Sequence, residues 1–90
     1  ARPSEHKEIS TTLLNLAKRQ KKLSDVHNVR VRRTAEGLFV HYHCRFNGTE
    51  TVDTVHTAVD HIENGLQAAY PDIRRVIAHA EPLGHPRHNL

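Results

Sequence analysis

The first 23 residues carry an apolar repeat with the spacing of an amphipathic helix. Between residues 4 and 23, apolar side chains recur every three or four positions, the period of one helix face. Ser4 is the predicted N-cap, and Glu5 and Glu8 follow in the first turns, where acidic side chains complement the helix dipole. The predicted stripe consists of Ile9, Leu13, Leu16 and Leu23, widened by Leu14 and Ala17.

A second and more regular helical repeat lies between residues 51 and 69. Its apolar residues advance alternately by three and four positions, so they form one continuous face. Thr49 or Thr51 can cap the start, and Tyr70-Pro71 predicts the end, because a residue before proline disfavours the helical conformation. The predicted apolar face consists of Val52, Val55, Val59, Ile62, Leu66 and Ala69.

Two stretches between these helices alternate with the period of two that is typical of strands. They cover residues 26–33 and 38–46, and the turn Ala35-Glu36-Gly37 between them predicts a hairpin. Asn47-Gly48 ends the second strand. The first strand places Val29 and Val31 on one side and Arg30 and Arg32 on the other. The second places Leu38, Val40, Tyr42, Cys44 and Phe46 on one side and Phe39, His41, His43 and Arg45 on the other.

The order of elements predicts the fold class. Residues 74–81 form a last short strand that ends at Pro82, which gives the order α-β-β-α-β. A strand–helix–strand connection within one sheet is nearly always right-handed, so the third strand is expected to run parallel to the second. The prediction is an α+β two-layer sandwich, in which both helices cover one face of a three-stranded mixed sheet. The open face is a candidate dimer surface.

The composition excludes several classes of protein. The 90 residues are 37% hydrophobic with a mean hydropathy of −0.64, which allows one domain with a small core. A single cysteine excludes an intrachain disulfide framework and a thiolate zinc finger. No apolar run approaches the roughly 18–20 residues of a membrane span, and no segment has the pattern of a signal peptide. Without an initiator Met, the chain is expected to be processed or part of a longer one.

Nine histidines are the unusual feature of this composition. His79 and Glu81 are two positions apart on the last strand, so their side chains project from the same side. His43 lies on the strand predicted to neighbour it, His27 begins the first strand, and His56 lies in the first half of the second helix. Imidazole and carboxylate ligands suit Zn(II) and also Ni, Co, Fe or Cu, so this set identifies no particular metal.

A simpler interpretation of the same histidines stays open at this point. A single histidine on a strand or helix is commonly a polar surface residue, and His56, Asp60 and Glu63 form a stripe that is also typical of a solvated helix face. Surface or tail positions are predicted for His6, His61, His85 and His88. His41 shares a face with His43, and its role is left undecided.

Four short motifs follow one another in an order and spacing that are typical of a known family. They are Val26-His27-Asn28-Val29-Arg30, Phe39-Val40-His41-Tyr42-His43, Val55-His56, and His79-Ala80-Glu81-Pro82. In this order and spacing, over about 57 of the 90 residues, they resemble the C-terminal cytoplasmic domain of the cation diffusion facilitator (cation efflux) transporters. That family typically shows a V-H-x-[LV]-R start, a strand with one His, an A-H helix start and a closing H-x-[DE]-P. Val55 replaces the usual alanine and leaves the histidine in place.

The resemblance implies a metallochaperone-like (ferredoxin-like) fold that dimerises through its sheet region. It also implies that divalent ions, foremost Zn(II), bind at or beside the dimer interface. In such transporters the domain is cytoplasmic and regulatory, because bound metal favours the closed arrangement and biases the membrane part toward transport. Residues 1–82 would form the metal-binding dimerisation domain, and residues 83–90 a flexible His/Pro-containing tail. The implied ligands are His27, His43, His56, His79 and Glu81, with Glu81 placed to bridge two ions.

Three other functions remain as alternatives. A free-standing soluble metal buffer or chaperone would have the same fold, and six apolar spans upstream in the reading frame would distinguish a transporter fragment from it. A sequence pI near 9.4 and basic clusters at residues 18–22 and 30–33 allow nucleic-acid binding, but two Phe and two Tyr offer little base stacking. The third alternative is a metal-dependent hydrolase, since histidines with a carboxylate could activate water. An enzyme is not expected, however, because the chain has no HExxH, nucleophile elbow or P-loop motif, and Cys44 faces the predicted core.

Overall fold

Five elements follow one another in the predicted order. The computed structural model describes residues 2–82, and residues 83–90, the predicted tail, lie outside the described part. The elements are α1 (Pro3–Lys18), β1 (Leu23–Thr34), β2 (Gly37–Phe46), α2 (Val52–Ala69) and β3 (Ile73–Pro82). The α-β-β-α-β prediction is therefore confirmed.

Helix α1 is shorter than its apolar repeat predicts. Pro3 occupies the first turn, where the missing N–H costs no hydrogen bond, and Arg2 rather than Ser4 is the N-cap. The helix ends at Lys18, so the predicted end at residue 23 is wrong. Leu23 is instead the first residue of β1 and packs against the core from the sheet. The short turn between α1 and β1 happens to place Leu23 at a helical spacing from the apolar residues of α1.

Helix α2 begins where the sequence predicts, but its buried face is narrower. The Thr51 side chain caps it by accepting a hydrogen bond from the Thr54 backbone N–H at 3.1 Å. Val52 is 83% exposed and Ala69 is also exposed, because the two ends of the helix lie outside the packed region. The buried residues are Ala58, Ile62 and Leu66.

The sheet has the strand order β1-β2-β3, with β1 antiparallel and β3 parallel to the central β2. Along β2, the alternation predicted from the sequence holds without a break. Its even-numbered residues are buried beneath the helices, and its odd-numbered residues from 39 to 45 are half-buried on the opposite face. The helices contribute Ile9, Leu13, Ile62 and Leu66 to the same core. One face of the sheet is therefore covered, and the other, called the open face below, is not covered by a helix.

Strand β1 contains a bulge directly after His27. His27 pairs with His43 and Arg30 pairs with His41, so two residues of β1 face Tyr42 alone. The first of the two, Asn28, has a φ of 56°. This is the left-handed region, which asparagine tolerates better than most residues. The alternation of β1 is therefore reset between Val26 and Val31.

Tyr42 supplies a stability prediction. It is completely buried, and its hydroxyl has no hydrogen-bond partner among the described residues. Burial raises the pKa of this phenol, so the group stays neutral. Because Tyr42→Phe keeps the ring and removes an unsatisfied polar group, we expect it to raise the free energy of unfolding by about 1 kcal/mol. Urea denaturation measures this change.

Tyr70 provides the matched control for that experiment. Its hydroxyl lies 3.0 Å from the Thr12 hydroxyl and donates to the Glu8 carbonyl at 3.3 Å. Tyr70→Phe is therefore expected to lower the free energy of unfolding by about 1 kcal/mol. Equal destabilisation in both variants would show that the Tyr42 hydroxyl is as well satisfied as that of Tyr70.

Candidate metal centre

Three potential metal ligands converge on the open face, one from each strand. His27 of β1 lies directly opposite His43 of β2. Glu81 of β3 pairs with Arg45, two residues beyond His43, and so lies on the same face. The crossover through α2 makes β3 parallel to β2, which brings the C-terminal ends of both strands to the same end of the sheet. We call His27, His43 and Glu81 the metal cluster.

The Glu81 carboxylate connects the two histidines of the metal cluster. Its Oε2 accepts a hydrogen bond from His43 Nδ1 at 2.8 Å, and its Oε1 lies 3.8 Å from His27 Nε2. One ligand atom from each residue lies within 4.8 Å of the other two. The three side chains are between 30% and 33% exposed, so the cluster is accessible from solvent but partly shielded.

The donor set fits a divalent transition metal. Two imidazole nitrogens and a carboxylate oxygen are ligands that zinc accepts, at bond lengths of about 2.0–2.2 Å. Ligand atoms around one tetrahedral ion lie about 3.4 Å apart, so the ligand atoms of the cluster, now within 4.8 Å of one another, need to approach by up to about 1.4 Å. His27 Nδ1 is buried, has no hydrogen-bond partner within residues 2–82, and lies 3.9 Å from Asp25 Oδ2. With Nε2 on a metal, Nδ1–H would face this carboxylate, which suits an outer-shell partner.

Two further histidines extend the row of rings across the open face. His79 pairs with His43, and the two rings stack with their centroids 4.8 Å apart. His41 follows, with its centroid 6.4 Å from that of His79. His79 is exposed and borders the metal cluster without sharing its donor geometry.

His56 is the predicted ligand that the structure does not bring to the metal cluster. It lies on α2, where its side chain is 74% exposed, and its Nε2 is 3.1 Å from Asp60 Oδ2 one turn later. Of the five predicted ligands, the structure thus brings three together, places His79 beside them and leaves His56 apart.

The remaining histidines differ in their surroundings. His61 is exposed, as predicted, and its Nδ1 lies 3.3 Å from Gln20 Oε1. His6, predicted to be on the surface, is instead half-buried, and its Nε2 donates to the Val29 carbonyl at 3.2 Å. No sequence pattern indicated this contact, because it joins a helix to a bulge 23 residues away. His85 and His88 lie outside the described residues.

The comparisons with known proteins decide the family. The profile described as "Cation efflux protein, cytoplasmic domain" matches residues 3–83. The chain belongs to this family. The resemblance found in the sequence motifs is therefore confirmed, and the family is a transporter domain rather than an enzyme family.

Solved structures of cation efflux domains have the same fold. The metal-bound C-terminal domain of the CzcD transporter from Thermotoga maritima is 23% identical, with a TM-score of 0.82 over 97% of this chain and 100% of that one. The putative zinc transporter CzrB in its zinc form is 26% identical, with a TM-score of 0.81 over 98% and 96%. The metallochaperone-like fold is thereby confirmed. A search of curated proteins gave no match.

No helix among residues 2–82 is long and apolar enough to cross a membrane. The family is nevertheless named for efflux proteins, whose cytoplasmic part it describes. The cation efflux domain described here thus corresponds to the part of such a protein that lies in the cytoplasm.

The basic clusters of this cation efflux domain are partly paired. Arg33 donates to Glu5 Oε2 at 2.8 Å and to Asp72 Oδ2 at 2.9 Å, which ties β1 to α1 and to the loop before β3. Lys22 lies 3.8 Å from Glu50. These contacts are the usual ones of a solvated protein surface and give nucleic-acid binding no specific support.

Cys44 faces the core, as predicted, and its thiol is expected to be unreactive. The side chain is completely buried, and burial raises the pKa of the Cys44 thiol to about 11. Because the thiolate is the reactive form, Ellman's reagent should label the native protein far more slowly than the unfolded protein. One thiol per chain should appear in guanidinium chloride, since Cys44 is the single cysteine. Rapid labelling of the native protein would show that β2 opens readily.

Proposed function

We propose that this domain is the metal-sensing, regulatory dimerisation domain of a cation efflux transporter, and that it responds to Zn(II) or a similar divalent ion. The observation that carries this proposal is the convergence of His27, His43 and Glu81 within 4.8 Å from three different strands. Nitrogen and oxygen donors of this kind are ligands that zinc accepts, and zinc is named for the relative CzrB.

His79 is proposed as a fourth ligand within the same chain. Its ring already stacks on that of His43. Because His79 is exposed, its side chain can change rotamer without disturbing the packing of the core. A fourth donor would complete the tetrahedral coordination that zinc prefers. Glu81 has two carboxylate oxygens directed at two different histidines, so it is also the residue suited to bridge two ions.

His56 is proposed to act on the metal site from a second copy of the chain. Within one chain it is not part of the metal cluster, and its side chain is 74% exposed on α2. The open face that carries the cluster also presents the half-buried Phe39 and Ile77. Apolar residues on a sheet face that no helix covers are suited to contact a second copy.

Metal sensing would work through the hydrogen bond within the metal cluster. In the structure, Glu81 Oε2 accepts a hydrogen bond from His43 Nδ1–H. The neutral ring binds a metal through Nε2, or through Nδ1 once its proton has moved to Nε2. A doubly protonated ring offers no lone pair, so affinity is expected to fall as the pH decreases. The ligands then draw β1, β2 and β3 together at one end of the sheet. If a second copy adds His56, the closed dimer binds the metal more tightly than the open arrangement does. Bound metal then shifts the population toward the closed dimer.

Calorimetry and sedimentation together test this function. Zinc added to the purified chain near neutral pH is expected to bind saturably and to increase the fraction of dimer. His56→Ala should reduce the dimer fraction at saturating zinc, whereas His61→Ala, an exposed histidine on the same helix, should not. Absence of zinc binding, or equal behaviour of the two variants, would contradict the ligand assignment.

A further inference from the structure

The direction of the His27 side chain depends on the bulge that follows it. Val31 is buried, and its neighbours Arg30 and Arg32 are exposed. In an uninterrupted strand His27, four positions before Val31, would point into the core with it, because side chains alternate with a period of two. In the structure, Val26 packs against the core and His27 faces His43. The extra residue of the bulge therefore moves His27 onto the open face.

Two side chains stabilise this bulge from different sides. Asn28 occupies the position with a φ of 56°, where a β-branched residue would be strained. His6 of α1 reaches the second bulge residue, and its Nε2 lies 3.2 Å from the Val29 carbonyl oxygen. A carbonyl can only accept a hydrogen bond, so Nε2 carries the proton. Nδ1 is then free to accept from the Ser10 hydroxyl, which lies 3.5 Å away.

We propose that Asn28 and His6 are positioning residues for the metal site: they hold the β1 bulge and thereby orient His27 toward His43 and Glu81. The proposal rests on the function proposed above, because it assigns these residues to the same site. Neither residue is expected to touch the metal. Outer residues of this kind typically change metal affinity by about 10–100-fold when they are removed.

Zinc calorimetry on two pairs of variants tests the proposal. Asn28→Val disfavours the positive φ and should weaken zinc binding by about 10-fold or more, whereas Asn28→Gly accepts this φ and should stay within about 3-fold of the unaltered chain. His6→Ala removes the donor to Val29 and should also weaken binding. His6→Gln retains an N–H donor and should recover part of the loss. If His6 only stabilises the fold, His6→Ala and His6→Gln variants of equal thermal stability should bind zinc equally well.

A measurement without metal separates this proposal from the proposed function. The ring centroids of His27 and His43 are 5.4 Å apart, so their ring protons should show a nuclear Overhauser effect in the metal-free protein. We expect it to persist in Asn28→Gly and to weaken in Asn28→Val and His6→Ala. If the unaltered chain binds no zinc, the proposed function fails, but the ring contact still reports on positioning. If Asn28→Val does not fold, the His6 pair decides.

Zinc affinity and ring contact unchanged in both Asn28→Val and His6→Ala would overturn the positioning role.

Discussion

Replacing Glu81 with alanine is expected to weaken zinc binding by about 100-fold. The carboxylate is the residue of the metal cluster that contacts both histidines, at 2.8 Å and 3.8 Å. Binding free energies of about 10–16 kcal/mol for structural zinc, shared by four ligands, give about 3 kcal/mol for each. Since every 1.4 kcal/mol is a tenfold change in affinity, one ligand corresponds to about two orders of magnitude. Competition with a chelator of known zinc affinity measures the difference.

His41→Ala is the matched control for this variant. His41 lies on the same open face, but it is not in the metal cluster. Because His41 supplies no ligand atom to the metal cluster, its removal should change zinc affinity by less than about 3-fold, well under the roughly 1.4 kcal/mol of a tenfold change. Equal losses in Glu81→Ala and His41→Ala would mean that zinc binds to the row of histidines without using the carboxylate.

Gly37→Ala is expected to destabilise the domain by about 2–4 kcal/mol. Gly37 begins β2 with a φ of 131°, which L-residues with a side chain rarely adopt. A Cβ at this position would lie 2.6 Å from the Asp72 carbonyl oxygen, which also accepts a hydrogen bond from the Leu38 N–H. Backbone strain and this clash add, because the loop before β3 cannot retreat without losing that hydrogen bond. The expected fall in the free energy of unfolding is measured by urea denaturation.

Gly48→Ala shows whether the effect is specific to Gly37. Gly48 lies in an exposed turn after β2 and does not have a positive φ. The same substitution there should change the free energy of unfolding by less than about 1 kcal/mol. A loss below about 1 kcal/mol in Gly37→Ala would show that β2 can begin without this close approach to the loop.

The sequence predicts most strongly where one residue pattern decides one structural feature. The unbroken alternation of β2 predicts which of its side chains are buried, because successive side chains of a regular strand point to opposite faces of the sheet. The Thr51 cap and the parallel β3 also follow from local signals and from the handedness of the crossover. The spacing of Leu23 predicts the wrong element, since helical spacing cannot distinguish the last turn of a helix from a turn followed by a strand.

The candidate site could be predicted only in part, and the reason lies in β1. Alternation alone would turn His27 toward the core, so residue spacing could not place it with His43. The bulge depends on the pairing of β1 with β2 and on a contact from His6, and neither is a local property of the sequence. Only the family resemblance implies that His27 is a ligand. His56 cannot be placed from one chain, because its proposed partner residues belong to a second copy.

A crystal structure of the zinc-loaded domain, with anomalous data collected at the zinc edge, tests whether His27, His43 and Glu81 bind the metal. We expect an anomalous peak about 2.0–2.2 Å from donor atoms of His27, His43 and Glu81, whose ligand atoms lie within 4.8 Å of one another in the structure. Zinc bound at saturation to other histidines, with the hydrogen bond between His43 and Glu81 unchanged, would contradict this assignment of the ligands.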